Sequence, residues 1–231
     1  MINPFNDFKS YPVKRREIPL DRIIAVKHET MEQIIEGYLK LAETEVKEMV
    51  WLVEHSRIVK AYSAALETIG DMEYDIDDIE EFCLELDRGN RVPYLISGPA
   101  GIYISALCNN VKDERIDLKL FELKRTFHFL GYRLPEGKTL ILDGNVGDFI
   151  GTGISGGNLI VKGSTGNWAG AGMLKGQIHI KEHTGQNTGE WMKGGEIRVD
   201  GHIRGIGKSI AGGHIYQGEK MVFPQEKETE N

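Results

Sequence analysis

The chain has 231 residues, 40% of them hydrophobic, and a formal net charge of −7, enough to bury a core in one large domain or two modest ones. The acidic balance, with no basic stripe, argues against nucleic-acid binding as its main task. Two cysteines, Cys83 and Cys108, make neither a disulfide framework nor a C-x-x-C pair, so no iron–sulfur cluster or structural zinc built by this chain alone is expected.

The longest apolar run, Val92 to Cys108, is interrupted by Ser97-Gly-Pro-Ala-Gly101, so no membrane span is expected. Met1-Ile-Asn-Pro-Phe-Asn-Asp-Phe8 lacks the charged-then-apolar order of a signal peptide, which predicts a cytoplasmic protein. Residues 131–231 carry 11 Lys+Arg against 11 Asp+Glu, leaving 17 against 24 for residues 1–130, and 23 of the 28 glycines lie between Gly131 and Gly218. Charge and glycine change together, which predicts a helix-rich region over 1–130, a glycine-rich region over 131–224 and a polar tail over 225–231.

In chain order, the basic run Lys14-Arg15-Arg16 lies in a segment of little periodicity and reads as an exposed arm. Thr30-Met-Glu-Gln33 has the form of a capping box and predicts a helix N-capped by Thr30. Its apolar stripe is Ile34, Ile35, Tyr38, Leu41, Ala42, Val46, Met49, Val50 and Val53. A second helix is expected from about Ser56 to Ile69, ending at Gly70. A third is expected over Asp75 to Arg88, with an acidic first turn and Gly89 past its end. The carboxylates from Asp71 to Glu81 lack the glycine and ligand order of an EF-hand loop and read as a solvated helix start. Ser97-Gly-Pro-Ala-Gly101 lacks the lysine and hydroxyl of a P-loop and reads as a turn between two buried segments.

From residue 139 onward the sequence repeats. Thr139-Leu-Ile-Leu-Asp143, Asn158-Leu-Ile-Val-Lys162, Gln177-Ile-His-Ile-Lys181 and Glu196-Ile-Arg-Val-Asp200 follow one another every 19 residues, and His214-Ile-Tyr-Gln217 comes after 18. Before three of these strands runs the frame G-x-x-x-G-x-G-x-x-x-G. It is complete at Gly147, Gly151, Gly153, Gly157 and at Gly166, Gly170, Gly172, Gly176; a third copy keeps Gly185, Gly189 and Gly195 but has Trp191 at the middle position. One strand per fixed period marks a solenoid whose units bury their apolar faces against one another. Alternation assigns Leu140, Leu159, Ile178, Ile197 and Ile215 to one inward column and Leu142, Val161, Ile180 and Val199 to a second. Ile141, Ile160, His179, Arg198 and Tyr216 form the mixed outward row between them.

Chemical motifs are scarce. Gly151-Thr-Gly153-Ile-Ser-Gly156 matches the dinucleotide fingerprint, but a strand and another glycine corner follow where a long helix is required. His179 lies on a strand and His183 in the loop beyond it, so with Glu182 they read as surface residues and not as a metal site. Trp168 and Trp191 stand near glycine corners, placed to cover the solenoid or to anchor a partner. No residue is assigned as catalytic, cofactor-binding or metal-ligating.

The run Gly144-Asn-Val-Gly-Asp-Phe-Ile-Gly-Thr-Gly153, followed by Gly166-Asn-Trp-Ala-Gly-Ala-Gly-Met-Leu-Lys-Gly176 and Gly189-Glu-Trp-Met-Lys-Gly-Gly195, resembles the GXGXG domain. That β-helix is found in one of the noncatalytic subunits of formylmethanofuran dehydrogenase and in the C-terminal region of the glutamate synthase large subunit. The match covers about Leu134 to Pro224, and its closing stretch through Gly212-Gly-His-Ile-Tyr-Gln-Gly218 is more similar to the formylmethanofuran dehydrogenase version. The helical patterns of residues 1–130 together with this resemblance predict an α+β protein: a helix-rich N-terminal region followed by a C-terminal right-handed single-stranded β-helix of about 19 residues per coil.

The resemblance further implies a noncatalytic structural or assembly subunit of an oxidoreductase complex in methanogenesis and one-carbon metabolism. Molybdenum or tungsten pterin and iron–sulfur clusters would then be held by partner subunits, with no cofactor bound by this chain. Two alternatives stand beside it. One is a glutamate synthase domain-3-like subunit. The other is a stand-alone binding protein or enzyme with its pocket at the helical/β-helix junction, where His128, Tyr132 and Arg133 lie nearest. Expected partners are protein subunits or further copies of this chain, since an uncovered terminal coil exposes strand edges; neither nucleic acid nor membrane is expected.

Overall fold

The computed structural model describes residues 20–46, 55–89 and 98–224. The basic run Lys14–Arg16, stripe positions Met49, Val50 and Val53, Ser97 and the tail 225–231 lie outside them. Four helices precede seven strands: α1 (Leu20–Val46), α2 (His55–Ile69), α3 (Ile76–Arg88), α4 (Pro99–Asn110), β1 (Arg115–Lys119), β2 (Thr139–Asp143), β3 (Ser155–Val161), β4 (Lys175–Ile180), β5 (Glu196–Val199), β6 (His214–Gln217) and β7 (Lys220–Phe223). The strands form one sheet in sequence order, parallel from β1 to β6 and antiparallel between β6 and β7. The class is α+β: helices, then a parallel-rich β-solenoid of about four turns with about 19 residues per turn.

The inward columns hold in register. Leu140, Leu159, Ile178, Ile197 and Ile215 pair in succession, and Ile116 of β1 adds a sixth member below Leu140. Leu118 likewise precedes Leu142, Val161, Ile180 and Val199, and all eleven side chains are buried. The sheet therefore starts before residue 131, in the part of the sequence read as helix-rich. The interval from β1 to β2 is 24 residues and not 19, because residues 120–124 loop out before the first corner. That longer interval hides β1 from a search at fixed period.

Helix α1 starts at Leu20, not at Thr30, which is buried within it at 9% exposure. Leu20-Asp-Arg-Ile-Ile-Ala-Val-Lys27 has no glycine or proline to stop a helix. Lys27 also anchors these early turns by pairing with Asp75 and Asp78 at the start of α3. The stripe positions Ile34, Ile35, Tyr38, Leu41 and Ala42 are buried as their spacing predicts. Helix α3 has its capping box at Asp75 and Asp78 and ends at Gly89 with φ 65°. In place of the turn expected over Ser97–Gly101, the described residues 98–101 are the opening of α4, with Gly98 at the N-cap and Pro99 at N1, the position proline favours. Because α4 is buried from Pro99 to Cys108, it shows no amphipathic stripe.

The helices cover the first coil. Glu80 of α3 accepts the Lys119 amide at 3.0 Å on the outer edge of β1, which blocks that edge against further pairing. Ser105 of α4 donates to the Phe129 carbonyl at 2.9 Å, and Asn109 donates to the Tyr132 carbonyl at 2.9 Å. Tyr38, Phe82 and Tyr103 pack ring against ring between α1, α3 and α4, with centroids 5.5 to 5.8 Å apart. One continuous apolar cluster runs from Met31 in α1 to Ile215 in β6. Among the described residues no helix is long and apolar enough to cross a membrane.

Candidate functional site

Each coil turns at a corner where alternate residues adopt left-handed backbone. Phe149, Gly151 and Gly153 have φ of 61°, 68° and 67°; Trp168, Gly170 and Gly172 have 58°, 70° and 64°; Asn187, Gly189 and Trp191 have 60°, 72° and 58°. Phe129, Gly131 and Arg133 repeat the pattern at 60°, 73° and 54°, a fourth corner that the sequence frame did not include. The middle position requires glycine because it meets the core: a Cβ on Gly170 would stand 2.4 Å from Ile197 Cδ1. The first position carries rings. Phe129, Phe149 and Trp168 stack face to face, centroids 4.7 and 4.9 Å apart and planes within 4°, the spacing of neighbouring strands. Stacking of about 0.5–1.5 kcal/mol per pair offsets the roughly 1 kcal/mol of each left-handed non-glycine residue.

Polar side chains near the corners stitch each coil to the next. His128 Nδ1 accepts the Asp148 amide at 3.0 Å, Asp148 the Asn167 amide at 2.6 Å, and Asn167 the Gln186 amide at 2.8 Å. Asn145 accepts from the Ser164 amide at 2.8 Å and His183 Nδ1 from the His202 amide at 2.9 Å. The buried carboxylate of Glu190 takes the amides of Lys208 and Ser209 at 2.7 and 3.0 Å. Backbone donors left by the irregular corners are thereby satisfied, as buried peptide groups require.

Between α2 and the corners lies a cavity of about 550 Å³, lined by Ile58, Phe129, Tyr132, Arg133, Phe149, Thr152, Gly153, Ala171, Gly172, Leu174, Trp191 and Lys193. Its volume falls in the range of small-molecule sites. Leu174 and Trp191 are 46% and 56% exposed. Arg133 lies with its guanidinium carbon 5.6 Å from the centre of the Tyr132 ring. Tyr132 itself is 2% exposed, and its buried hydroxyl makes no hydrogen bond of full geometry although the Arg133 side chain lies within reach. Burial raises the pKa values of Tyr132 and of neighbouring Tyr62, which meets it edge to face at 5.1 Å. Both phenols are therefore neutral at physiological pH.

Of the three residues placed nearest the junction by sequence, the structure brings Tyr132 and Arg133 to the cavity, while His128 belongs to the inter-coil ladder. His179 and His183 serve separate partners: His179 Nε2 meets Asp200 Oδ1 at 2.7 Å, and that contact with Lys181 nearby holds the Asp200 carboxyl below the ordinary range. Among the described residues no group of three His, Cys, Asp or Glu side chains is placed to hold a metal ion. Trp168 closes the aromatic stack, whereas Trp191 belongs to a different column and stands at the cavity. Sequence reasoning missed Phe129 and Phe149; their signal was an aromatic two residues before Gly131 and Gly151, aligned with Trp168 before Gly170. No family model, curated protein or solved structure matches this chain.

Proposed function

We propose that this chain is a noncatalytic structural or assembly subunit, resembling the β-helical subunit of formylmethanofuran dehydrogenase, whose solenoid presents a rigid face to the other members of an oxidoreductase complex. What supports this reading is the use the repeat makes of its polar residues. His128, Asp148, Asn167, His183 and Glu190, the side chains a catalytic site would draw on, all accept backbone amides of the following coil. Groups committed in this way hold a stack together and keep its surface rigid. The right-handed winding is part of the same proposal. Pterin-metal and iron–sulfur centres would sit in partner subunits, since Cys83 and Cys108 are both buried in the apolar core.

The test is to draw the tagged chain from native extract, identify the copurifying chains by mass spectrometry, and assay molybdenum, tungsten and iron in the same fraction. Pterin-metal or iron–sulfur subunits in fixed proportion, with their metals, are the expected result. A metal-free homo-oligomer, or turnover of a substrate by the chain alone, would overturn the reading. The junction cavity favours a second reading, a binding protein in its own right, because its lining is mostly apolar with a few cationic groups, the usual make-up of a ligand site.

A further inference from the structure

One corner column is built differently from its neighbours. Arg133, Gly153, Gly172 and Trp191 occupy equivalent positions on four successive coils, with φ of 54°, 67°, 64° and 58°. Arginine and tryptophan at the two ends show that this backbone accepts a large side chain. The bare middle is therefore a gap and not a steric necessity. A Cβ on Gly172 would meet nothing within 4 Å, and one on Gly153 would meet Arg133 Cγ at 3.6 Å and nothing closer. With coils about 4.8 Å apart, the glycine floor between Arg133 and Trp191 spans about 14 Å.

Charge points the same way. Arg133 and Lys193 line the cavity and no carboxylate does, although the chain carries a net charge of −7. Neither cation is in an ion pair among the described residues.

We propose that this slot binds a small molecule in which a flat conjugated ring is joined to an anionic group, the ring over the glycine floor beside Trp191 and the anion on Arg133 and Lys193. Glycines let a planar group approach the backbone closely. The Phe149 and Trp191 rings supply aromatic contact. The guanidinium fork matches carboxylate, sulfonate or phosphate oxygens. The proposal rests on the reading of the junction as a binding site and is independent of the scaffold reading.

The test titrates the full chain with 8-anilinonaphthalene-1-sulfonate and with uncharged N-phenyl-1-naphthylamine, the same ring system without the sulfonate, following probe fluorescence. Both bind saturably at one site per chain, the sulfonate about tenfold tighter, the gain of a charge-assisted contact. Arg133→Gln reduces that advantage, Arg133→Gln with Lys193→Gln removes it, and both leave the uncharged probe unchanged. Gly172→Trp, which places on an inner coil the residue that Trp191 already carries in this backbone, abolishes both. Far-UV circular dichroism checks that each variant folds; should Gly172→Trp unfold, Trp191→Ala replaces it and weakens both probes. Non-saturable binding, or binding indifferent to Gly172→Trp in a folded variant, overturns the site. Equal affinity for the two probes overturns the anionic class of the ligand and leaves an apolar cavity, and a sulfonate advantage that survives loss of both cations overturns the place given to the anion.

Discussion

Ile178 is 1% exposed and pairs with Leu159 on one side and Ile197 on the other, so its side chain has apolar neighbours above and below. An aspartate there buries a carboxylate without a partner, which costs several kcal/mol, comparable to the whole stability of a domain. Ile178→Asp should abolish the cooperative melt seen by circular dichroism, while Ile160→Asp, at a half-buried position of the outward row whose first member Ile141 is buried, should leave it within about 1 kcal/mol. The two cysteines make a second residue-scale case. Burial pushes the Cys108 thiol up to about 12 and raises Cys83 as well. Neither is then a thiolate at pH 8. Native chain should release no thionitrobenzoate from Ellman's reagent at that pH, and both thiols of the chain should react once guanidinium is added; rapid reaction in the native state would contradict the packing of α3 and α4.

Among the elements, α3 carries the clearest local determinants. Asp75 accepts the Asp78 amide, Asp78 accepts the Asp75 amide, and both carboxylates meet Lys27 of α1. Asp75→Ala removes the cap and one ion-pair partner and should lower stability to urea by about 1–2 kcal/mol. Burial acts against the charge of both Asp75 and Lys27, but their mutual bonds outweigh it: the Asp75 pKa lies below 3.8 and the Lys27 pKa above 10.5. A lowered carboxyl pKa gives stability that is present above pH 3.8 and lost as pH falls through the folded value; a raised lysine pKa gives stability present below pH 10.5 and lost as pH rises through its folded value. Asp75→Ala should therefore cost most between those limits, less above the Lys27 pKa, where the cap remains without the ion pair, and least below the Asp75 pKa.

The same elements show what a sequence can disclose. The core columns and the starts of α2 and α3 were legible because periodicity and caps act over a few residues. Helix α4 was not, since a helix buried on every side has no polar face to mark its period, and β1 was hidden by a longer interval. The cavity was legible only in part: Tyr132 and Arg133 follow from adjacency to the boundary, but the alignment of Arg133 with Trp191, 58 residues on, appears only once the coils are stacked.

At the scale of the whole molecule, the helices and the solenoid share one apolar cluster, and the contact between them is close. Gly101 in the first turn of α4 faces the corner at His128, where a Cβ would come within 1.6 Å of the His128 carbonyl oxygen. That oxygen is backbone and cannot rotate away. An alanine there must push α4 off the first coil, loosening the Ser105 bond to the Phe129 carbonyl and the Asn109 bond to the Tyr132 carbonyl together. Gly101→Ala should cost more than about 2 kcal/mol, beyond the usual penalty of a single hydrogen bond. How that loss is distributed distinguishes one cooperative unit from two joined ones. If the shared cluster makes the fold a single unit, amides of α4 and of β2 should gain hydrogen-exchange rate by the same factor under conditions where exchange follows global unfolding. If α4 amides speed up while those of β2 keep the parent rate, the solenoid stands without its helical cover, and the continuity of the core is packing without cooperativity.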